Sequence, residues 1–581
     1  MADSHGILTD RIWIDPVVSH GEAVLSDFSR QLEISEAMGR ILAARDLLDL
    51  DGAKRFLNPS ETDLHDPFLM AGMDEAVRRI MQAIDRFEKV LIFGDYDVDG
   101  TASAAILYNY LKRLGARVHY FIPDRMADGY GLNTATVNKI KAAQADLIIT
   151  VDNGSTALDE SQYIAQLGID LIVTDHHRMG EEFPTAVALV NPHRPDCTYP
   201  FKDLSATGVA FKVVCALDRR LTERGLWDQR GICHTLPVYY LDLVALATVA
   251  DMSPLVGENR VLVKLGLDLI NSRPRPGLAG LIRECNIRSG ISPSTINFKL
   301  APKINALGRI GDPRLGMQIL LAHSYTEGRR LARHLAAVNR MRQEIERNVL
   351  SSAMRQVEEA HDPSAFVLVG TDWHPGVIGI IATRIAYQFQ RPTVVITLAN
   401  RVQALGSARG YGEVNVLDAL ASCENLLDRF GGHANAAGLA LQPERVGEFR
   451  SRFHAFMESS PGAQPAADAR GIAIETWIDP GLLDSRFCDE MARLSPFGYG
   501  NPEPVFGVRG MNMTHPAVTQ TRRLRFQIAG SRYAEDCLCW DQAEWTRNLS
   551  GSFDMALSPQ ILYGPEGVRS NFRVVDLRSV A

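Results

Sequence analysis

The sequence predicts an α/β protein of several domains: a parallel-sheet domain and a second α/β domain joined by a long helix, then a small C-terminal β-barrel. Three observations predict it. From Lys89 onward, short apolar runs alternate with amphipathic segments at βαβ spacing. A run from Arg329 to Glu359 contains no Gly or Pro. After about residue 468 only short β-type runs remain, separated by turn signals.

Residues 1–65 read as a small helical segment closed by Asn58-Pro59-Ser60. In the domain expected over 66–314, Val90 to Phe93 is a buried-strand run, and Thr101 to Leu114 has helical spacing and ends at Gly115. Arg117 to Ile122 is the next strand, Thr134 to Ala143 a helix, Leu147 to Val151 a strand, Ser155 to Leu167 a helix and Leu171 to Thr174 a strand, with Val187 to Val190 as a further candidate. Parallel pairing with helices on both faces follows. Val238 to Ala250 reads as an almost wholly buried helix. Residues 315–360 are expected to form the bridging helix, since the run is too long for an ordinary packed one. A second α/β domain spans 361–458, with strand Ala365 to Val369, helix Val377 to Phe389, strand Thr393 to Leu398 and a Gly-rich region from Gly406 to Gly438. Ser459 to Ala467 has linker composition, and 468–581 makes the barrel.

Of 581 residues, 46% are hydrophobic and 22% charged, which excludes disordered, collagen-like and coiled-coil classes. Lys plus Arg total 61 against 69 Asp plus Glu, and the net charge of −8 argues at face value against a nucleic-acid partner. The eight cysteines show no C-x-x-C spacing, so reduced thiols are expected. The opening Met-Ala-Asp-Ser-His-Gly has neither a basic nor an apolar region, and no stretch approaches the roughly 20 apolar residues of a membrane span. A cytoplasmic location, with no membrane contact, is the expectation.

The sharpest local feature is Gly94-Asp95-Tyr96-Asp97-Val98-Asp99-Gly100-Thr101, where the first strand gives way to its helix. Three carboxylates on alternate residues repel one another, and a bound cation would relieve that; the plain alternative is a solvated acidic turn. The string also opens like an EF-hand loop, but the twelfth position is Ile106 and a strand precedes it. No G-x-G-x-x-G occurs, which removes a dinucleotide site. The neighbouring strand ends decide between cation and turn. Asp152-Asn153-Gly154 follows the strand ending at Val151, and Asp175-His176-His177 follows the one ending at Thr174. In an open parallel sheet these groups meet at the carboxyl edge, where ligands bind. Asp251, closing the apolar run from Leu241, is a further carboxylate with a buried approach. Carboxylates with imidazole and no cysteine suit Mn²⁺ or Mg²⁺ better than zinc. So many ligands exceed the need of one ion, and a pair bridged by one carboxylate would use them all, as in phosphoryl chemistry.

The set Asp97-x-Asp99, Asp152-Asn153-Gly154, Asp175-His176-His177 and Asp251 resembles the signature of the DHH phosphoesterase superfamily. Further segments resemble its bacterial branch of single-strand-specific exonucleases: Ala301 to Arg309, Trp373-His374-Pro375-Gly376-Val377-Ile378-Gly379, Gly431-Gly432-His433 through Gly438, and Pro496 to Pro502. The resemblance runs from about residue 65 to the end. It implies metal ligands at Asp97, Asp99, Asp152, His176 and Asp251, with Asp152 bridging two divalent cations, Mn²⁺ or Mg²⁺. Asp95 stands near where small-substrate relatives carry histidine, so it either binds metal itself or supports those that do. The resemblance places His177 beside the scissile phosphate, to stabilise charge or protonate the leaving 3′ oxygen; its plain alternative is a solvent-facing histidine at a helix start. The second α/β domain is similar to the family's DHHA1 domain, which implies a phosphate contact from His433; similarity to the exonucleases implies that Ser407 and Arg409, with Arg125, grip the 5′-terminal phosphate and that Arg309 binds a backbone phosphate nearby. It implies an OB-fold in the C-terminal domain, where Arg522, Arg523 and Arg525 are candidate single-strand contacts. Nearby aromatics including Phe526, Phe553 and Phe572 suit either base stacking or the barrel core. The bridging helix carries Arg329, Arg330, Arg333, Arg340, Arg342 and Arg347, either a cationic floor under a bound strand or a solvated face. The implied activity is 5′→3′ exonuclease action on single-stranded DNA, releasing 5′-mononucleotides in repair and recombination. The implied setting is a monomer cooperating with a helicase and a single-strand-binding protein. A phosphodiesterase for short or cyclic oligonucleotides, an inactive DNA-binding scaffold and a manganese pyrophosphatase are the alternatives. The extra barrel and the arginine-bearing helix weigh against the first, the intact carboxylates against the second, and the unexplained C-terminal domain against the third.

Overall fold

The structure, a computed structural model, describes residues 11–16, 20–129, 131–229, 234, 236–360, 364–399, 402–460, 471–518, 524–529, 537–539, 551–564 and 567–580. The chain divides into two compact units. The first holds residues 1–305, 313–333 and 471–581; the second holds 306–312 and 334–470.

The first unit is organised around a five-stranded sheet. Its strands are β1 (Lys89–Phe93), β2 (Arg117–Phe121), β3 (Leu147–Val151), β4 (Asp170–Thr174) and β5 (Ala188–Val190). They lie in the order β2-β1-β3-β4-β5, all parallel. The residues of β3 are buried throughout, as a central strand covered on both faces requires. Between them run α1 (Val98–Arg113), α2 (Thr134–Ala142) and α3 (Leu158–Gln166), followed by α4 (Ala206–Glu223) and α5 (Leu241–Ala250). At the carboxyl edge of the sheet two helix starts move three residues from the sequence expectation. Helix α1 begins at Val98 instead of Thr101, because Asp97 caps it by accepting from Gly100 N at 3.0 Å. Helix α3 begins at Leu158 instead of Ser155, because Asp152 (φ 63°) and Gly154 (φ 110°) hold a left-handed turn that no helix can enter.

The long helix α6 runs from Tyr325 to Glu359, 35 residues. The sheet of the second unit comprises β6 (Phe366–Gly370), β7 (Thr393–Thr397), β8 (Ala404–Arg409), β9 (Leu427–His433) and β10 (Ala436–Leu441), in the order β9-β10-β8-β7-β6, with α7 (Pro375–Phe389) between β6 and β7. The stretch expected as a Gly-rich region contributes to three antiparallel strands with a short helix (Val416–Ala421) between the first two, and Gly438 pairs in register with Gly431 on one side and Ser407 on the other.

The C-terminal sheet has seven strands: β11 (Thr476–Trp477), β12 (Phe506–Met511), β13 (Met513–Val518), β14 (Leu524–Ile528), β15 (Cys537–Cys539), β16 (Phe553–Gly564) and β17 (Gly567–Ser579). The order is β11-β12-β16-β17-β15-β14-β13. It is not purely antiparallel, since β11 with β12 and β15 with β17 pair parallel. Phe526, Phe553 and Phe572 are buried in its core, the plainer of the two readings of these aromatics. The N-terminal helices Glu22–Leu32, Glu36–Ala44 and Leu50–Leu57 share that core: Phe28, Met38, Ile41 and Leu42 pack with Phe487, Phe506 and Phe572. Trp13 and Ile14 add a short parallel pairing with Ile472 and Ala473.

Candidate metal centre

The carboxyl ends of β1, β3 and β4 and the end of α5 deliver every acidic group singled out in the sequence to one place, all within the first unit. Three overlapping triads have ligand atoms within 4.8 Å of one another: Asp95, Asp97 and Asp152; Asp99, His176 and Asp251; and Asp152, His176 and His177. Asp152 belongs to two of them and reaches a third carboxylate's partner, with His176 Nε2 3.2 Å from Asp152 Oδ1 and 3.9 Å from Asp99 Oδ2. A bridging position for Asp152 is therefore geometrically available.

Each group is held by its backbone. Asp99 is buried, and its carboxylate accepts from Ala206 N (2.8 Å), Thr207 N (2.9 Å) and Thr207 Oγ1 (2.6 Å) at the start of α4. A helix start is a natural place for a buried anion. Val98 N, between Asp97 and Asp99, donates to Asn305 Oδ1 at 3.0 Å. Ser253 Oγ donates to Asp251 Oδ2 at 2.8 Å. Asp175 ties its own turn, accepting from Ser155 N at 3.0 Å and His176 N at 2.8 Å, and it holds His177 Nδ1 at 2.8 Å. Asn191, just past the end of β5, donates to the His177 carbonyl at 2.9 Å. Thr207, Ser253, Asn191 and the orienting role of Asp175 went unread in the sequence. A Ser205 cap ahead of Gly208 was the only local signal for the first of them.

The electrostatics favour a cation. Burial, and then the charge of Asp97, raises Asp95 to about 8. Desolvation in the crowded pocket, then Asp99, raises Asp251 to about 7, although that residue keeps an exposed edge. Burial followed by neighbouring aspartates raises Asp97 and Asp152 as well. Among the described residues no Lys or Arg forms an ion pair with any of these carboxylates or with Asp99, so no direct lysine or arginine partner offsets the accumulated negative charge. Oxygen donors with one or two imidazoles match Mn²⁺ or Mg²⁺. His177 behaves differently: burial disfavours its charge, but the hydrogen bond to Asp175 wins and lifts it to about 9. Against burial, the same contact pulls Asp175 below its usual range.

The remaining candidates fall in three places. Arg125 is exposed in the first unit, over the Tyr96 ring at 5.7 Å and near enough to Asp95 to lower it. In the second unit Arg409 donates to Ser407 Oγ (2.8 Å) and Thr383 Oγ1 (3.1 Å), beside Gly379, where a Cβ would sit 3.0 Å from Arg409 Nη2. Also there, Arg309 Nη1 contacts Gly376 O at 3.4 Å, and His433 is exposed at the end of β9 beyond Gly432, whose φ of 144° places its backbone against Ala436 and Ala437. Arg525 is exposed on β14; Arg522 and Arg523 lie outside the described residues.

The DHH family N-terminal domain model matches residues 89–248, the DHHA1 domain model 362–459 and the RecJ OB domain model 474–574. The single-stranded-DNA-specific exonuclease RecJ of Dickeya dadantii is 35% identical over 486 residues, covering 81% of this chain and 83% of its own length. That of Bacillus subtilis is 36% identical over 85% of this chain, which spans only 62% of the relative. Among solved structures, RecJ of Thermus thermophilus in complex with Mn²⁺ has a TM-score of 0.78 at 30% identity, over 98% of this chain and 80% of that one. Its complex with Mg²⁺ has a TM-score of 0.73 at 29% identity, over 98% and 79%.

Proposed function

The chain belongs to the RecJ family of single-stranded-DNA-specific exonucleases, and on that premise we propose that it degrades single-stranded DNA from the 5′ end, releasing 5′-mononucleotides. The observation that carries the chemistry is the overlap of the triads: Asp152 joins Asp95 and Asp97 in one and lies 3.2 Å from His176, which joins Asp99 and Asp251 in another. Asp95, Asp97 and Asp152 would hold one divalent cation and Asp152, Asp99, His176 and Asp251 the other; such a pair lowers the pKa of the attacking water and neutralises charge on the phosphoryl oxygens. The protein's own groups do the rest. The amides and hydroxyl at the start of α4 fix Asp99, and Asn305 fixes the turn between Asp97 and Asp99. Asp175 keeps His177 protonated and engaged through Nδ1, which leaves Nε2–H to stabilise charge on the phosphate or protonate the departing 3′ oxygen. Arg125, beside Asp95, and Arg309, Ser407, Arg409 and His433 of the second unit are the groups we assign to substrate phosphates. Arg525, with Arg522 and Arg523, is assigned to the trailing strand.

The match to an OB domain favours a long strand over a dinucleotide or cyclic substrate, because such domains present a surface for several nucleotides. No helix among the described residues is long and apolar enough to cross a membrane. We infer a cytoplasmic monomer in DNA repair and recombination, fed by a helicase and a single-strand-binding protein. Purified protein with Mn²⁺ is expected to shorten a 5′-phosphorylated single strand and leave the duplex intact, and Asp152→Ala is expected to abolish this. Full activity in that variant would sink the assignment.

A further inference from the structure

The segment Pro496 to Pro502 contains no carboxylate and no imidazole, yet it lies against the loop that carries Asp251. That loop needs an anchor. Asp99 is held by three protein donors, whereas among the described residues the one donor to the Asp251 carboxylate is Ser253 Oγ, two residues away. The chain leaves α5 through Met252 in a left-handed conformation (φ 62°), which a side chain holds only where its surroundings impose it. Met252 N and Ser253 N reach back to Val249 O and Thr248 O, both at 3.2 Å. Pro254 has no amide hydrogen to give. Leu255 N is the next donor along the chain, and it goes to Tyr499 O at 2.7 Å.

Tyr499 stands in a turn closed by two bonds between Gly498 and Asn501, at 2.9 and 3.1 Å. Gly500 takes a φ of 76°, and a Cβ there would stand 2.8 Å from Pro254 Cβ; one on Gly498 would stand 2.7 Å from Leu255 Cδ1. The two glycines thus bring backbone closer to the Asp251 loop than a larger residue allows. Behind them the buried Asn501 holds the turn in place. Its Nδ2 donates to Leu494 O (3.0 Å) and Pro496 O (2.8 Å), and its Oδ1 accepts from Arg45 Nη1. Arg260, in the first turn of the helix Gly257–Ser272 that follows the loop, donates to Leu494 O and Ser495 O at 2.8 and 2.9 Å. The Asp251 loop and the helix after it are therefore tied to one and the same stretch of backbone.

We propose that the Gly498–Asn501 turn is a positioning element for Asp251. By anchoring Leu255 it sets where that carboxylate stands, and so couples the C-terminal part of the chain to the affinity for the cation that Asp251, Asp99 and His176 would share. This rests on the reading of Asp251 as a metal ligand. The coupling is reciprocal: a cation on Asp251 stabilises the turn by as much as the turn stabilises the cation.

The test is a calorimetric Mn²⁺ titration of the full chain, well below its melting temperature. Gly500→Ala strains the left-handed position and presses on Pro254, and it should weaken the Asp251-dependent cation about tenfold, the lower end of what losing an orienting partner costs a metal site. In an Asp251→Asn background the same substitution should change Mn²⁺ affinity little, because the ligand it positions is gone. A purely structural turn gives a different pattern: the metal-free melting temperature falls equally in both backgrounds while Mn²⁺ affinity stays native. That pattern overturns the proposal and leaves the metal centre standing. Should Gly500→Ala not fold, Gly498→Ala is the milder variant. Its Cβ presses on Leu255 Cδ1, and adding Leu255→Val, which removes that atom, should restore the affinity; native affinity in Gly498→Ala, or no recovery in the pair, also overturns the proposal. If the native protein binds no Mn²⁺ at all, the metal-centre reading and the role of the turn fall together.

Discussion

At the scale of single residues, protons and cations compete for the same carboxylates. An ordinary aspartate titrates near 3.8, whereas Asp95 and Asp251 of the metal-free fold titrate near 8 and 7. Between those limits the folded protein holds protons that the unfolded chain has released, so its stability rises as pH falls from 8 and is lost as pH climbs through 7 to 8. A divalent cation takes the place of the protons, and its affinity therefore grows with pH. Added Mn²⁺ should raise the melting temperature more at pH 8 than at pH 6; an equal gain at both would show that these carboxylates do not hold the metal. His177 shifts stability with pH in the same direction, but here it is the protonated form that carries the charge. Its elevated value keeps it charged up to about pH 9, so its pairing with Asp175 stabilises the fold below its unfolded value near 6.5 and fades as pH rises through 9. Its proposed part is in the reaction and not in metal retention. His177→Ala should cost roughly 10²- to 10⁴-fold in kcat with Mn²⁺ affinity by calorimetry little changed. A collapse of metal affinity would make His177 a ligand of the third triad instead.

At the scale of elements, the site is a set of strand ends supported by a helix that arrives from elsewhere in the chain. The strand ends were legible because an apolar run followed by Asp is a local pattern: Val151-Asp152, Thr174-Asp175 and Phe93 with the Asp95 cluster all read directly. The support was not legible. Thr207 lies 108 residues from Asp99, and nothing local marks it as anything but the first turn of α4. The left-handed turn at Asp152 was hidden for the same kind of reason: Asp-Asn-Gly permits several turn conformations, and the one adopted depends on Asp175 holding Ser155 from the next strand. Thr207→Val keeps the shape of the side chain and removes the hydroxyl bonded to Asp99. It should lower Mn²⁺ affinity by about 10- to 100-fold, the usual effect of losing a partner that orients a ligand. Unaltered binding in a titration would mean the two backbone amides suffice.

At the scale of the whole chain, the net charge of −8 does not oppose a nucleic-acid substrate, because at least five of the acids stand together where cations would offset them. The same scale changes the meaning of the N-terminal segment. Read along the sequence, residues 1–65 were a helical segment without chemistry, since hydrophobic periodicity names the buried face of a helix but not what covers it. In the fold, Phe28, Leu32, Met38, Ile41 and Leu42 fill the core beneath the C-terminal sheet, more than 400 residues away, and Arg45 pairs with Glu475 at 3.0 Å. Arg260 joins this assembly to the DHH sheet's helices, donating to Phe56 O and to the carbonyls of Arg493, Leu494 and Ser495 at 2.8 to 2.9 Å. Each buried apolar side chain removed from such a core costs about 2 to 5 kcal/mol, and the cut would remove several at once. A protein beginning at residue 66 should therefore lose the C-terminal domain as a folded body, exposing it to limited proteolysis while the DHH sheet stays protected. Single-strand affinity should fall with it even though no DNA contact is assigned to the deleted residues. If the truncated chain instead kept a protease-resistant C-terminal domain, the N-terminal helices would be a removable cover and not part of its core.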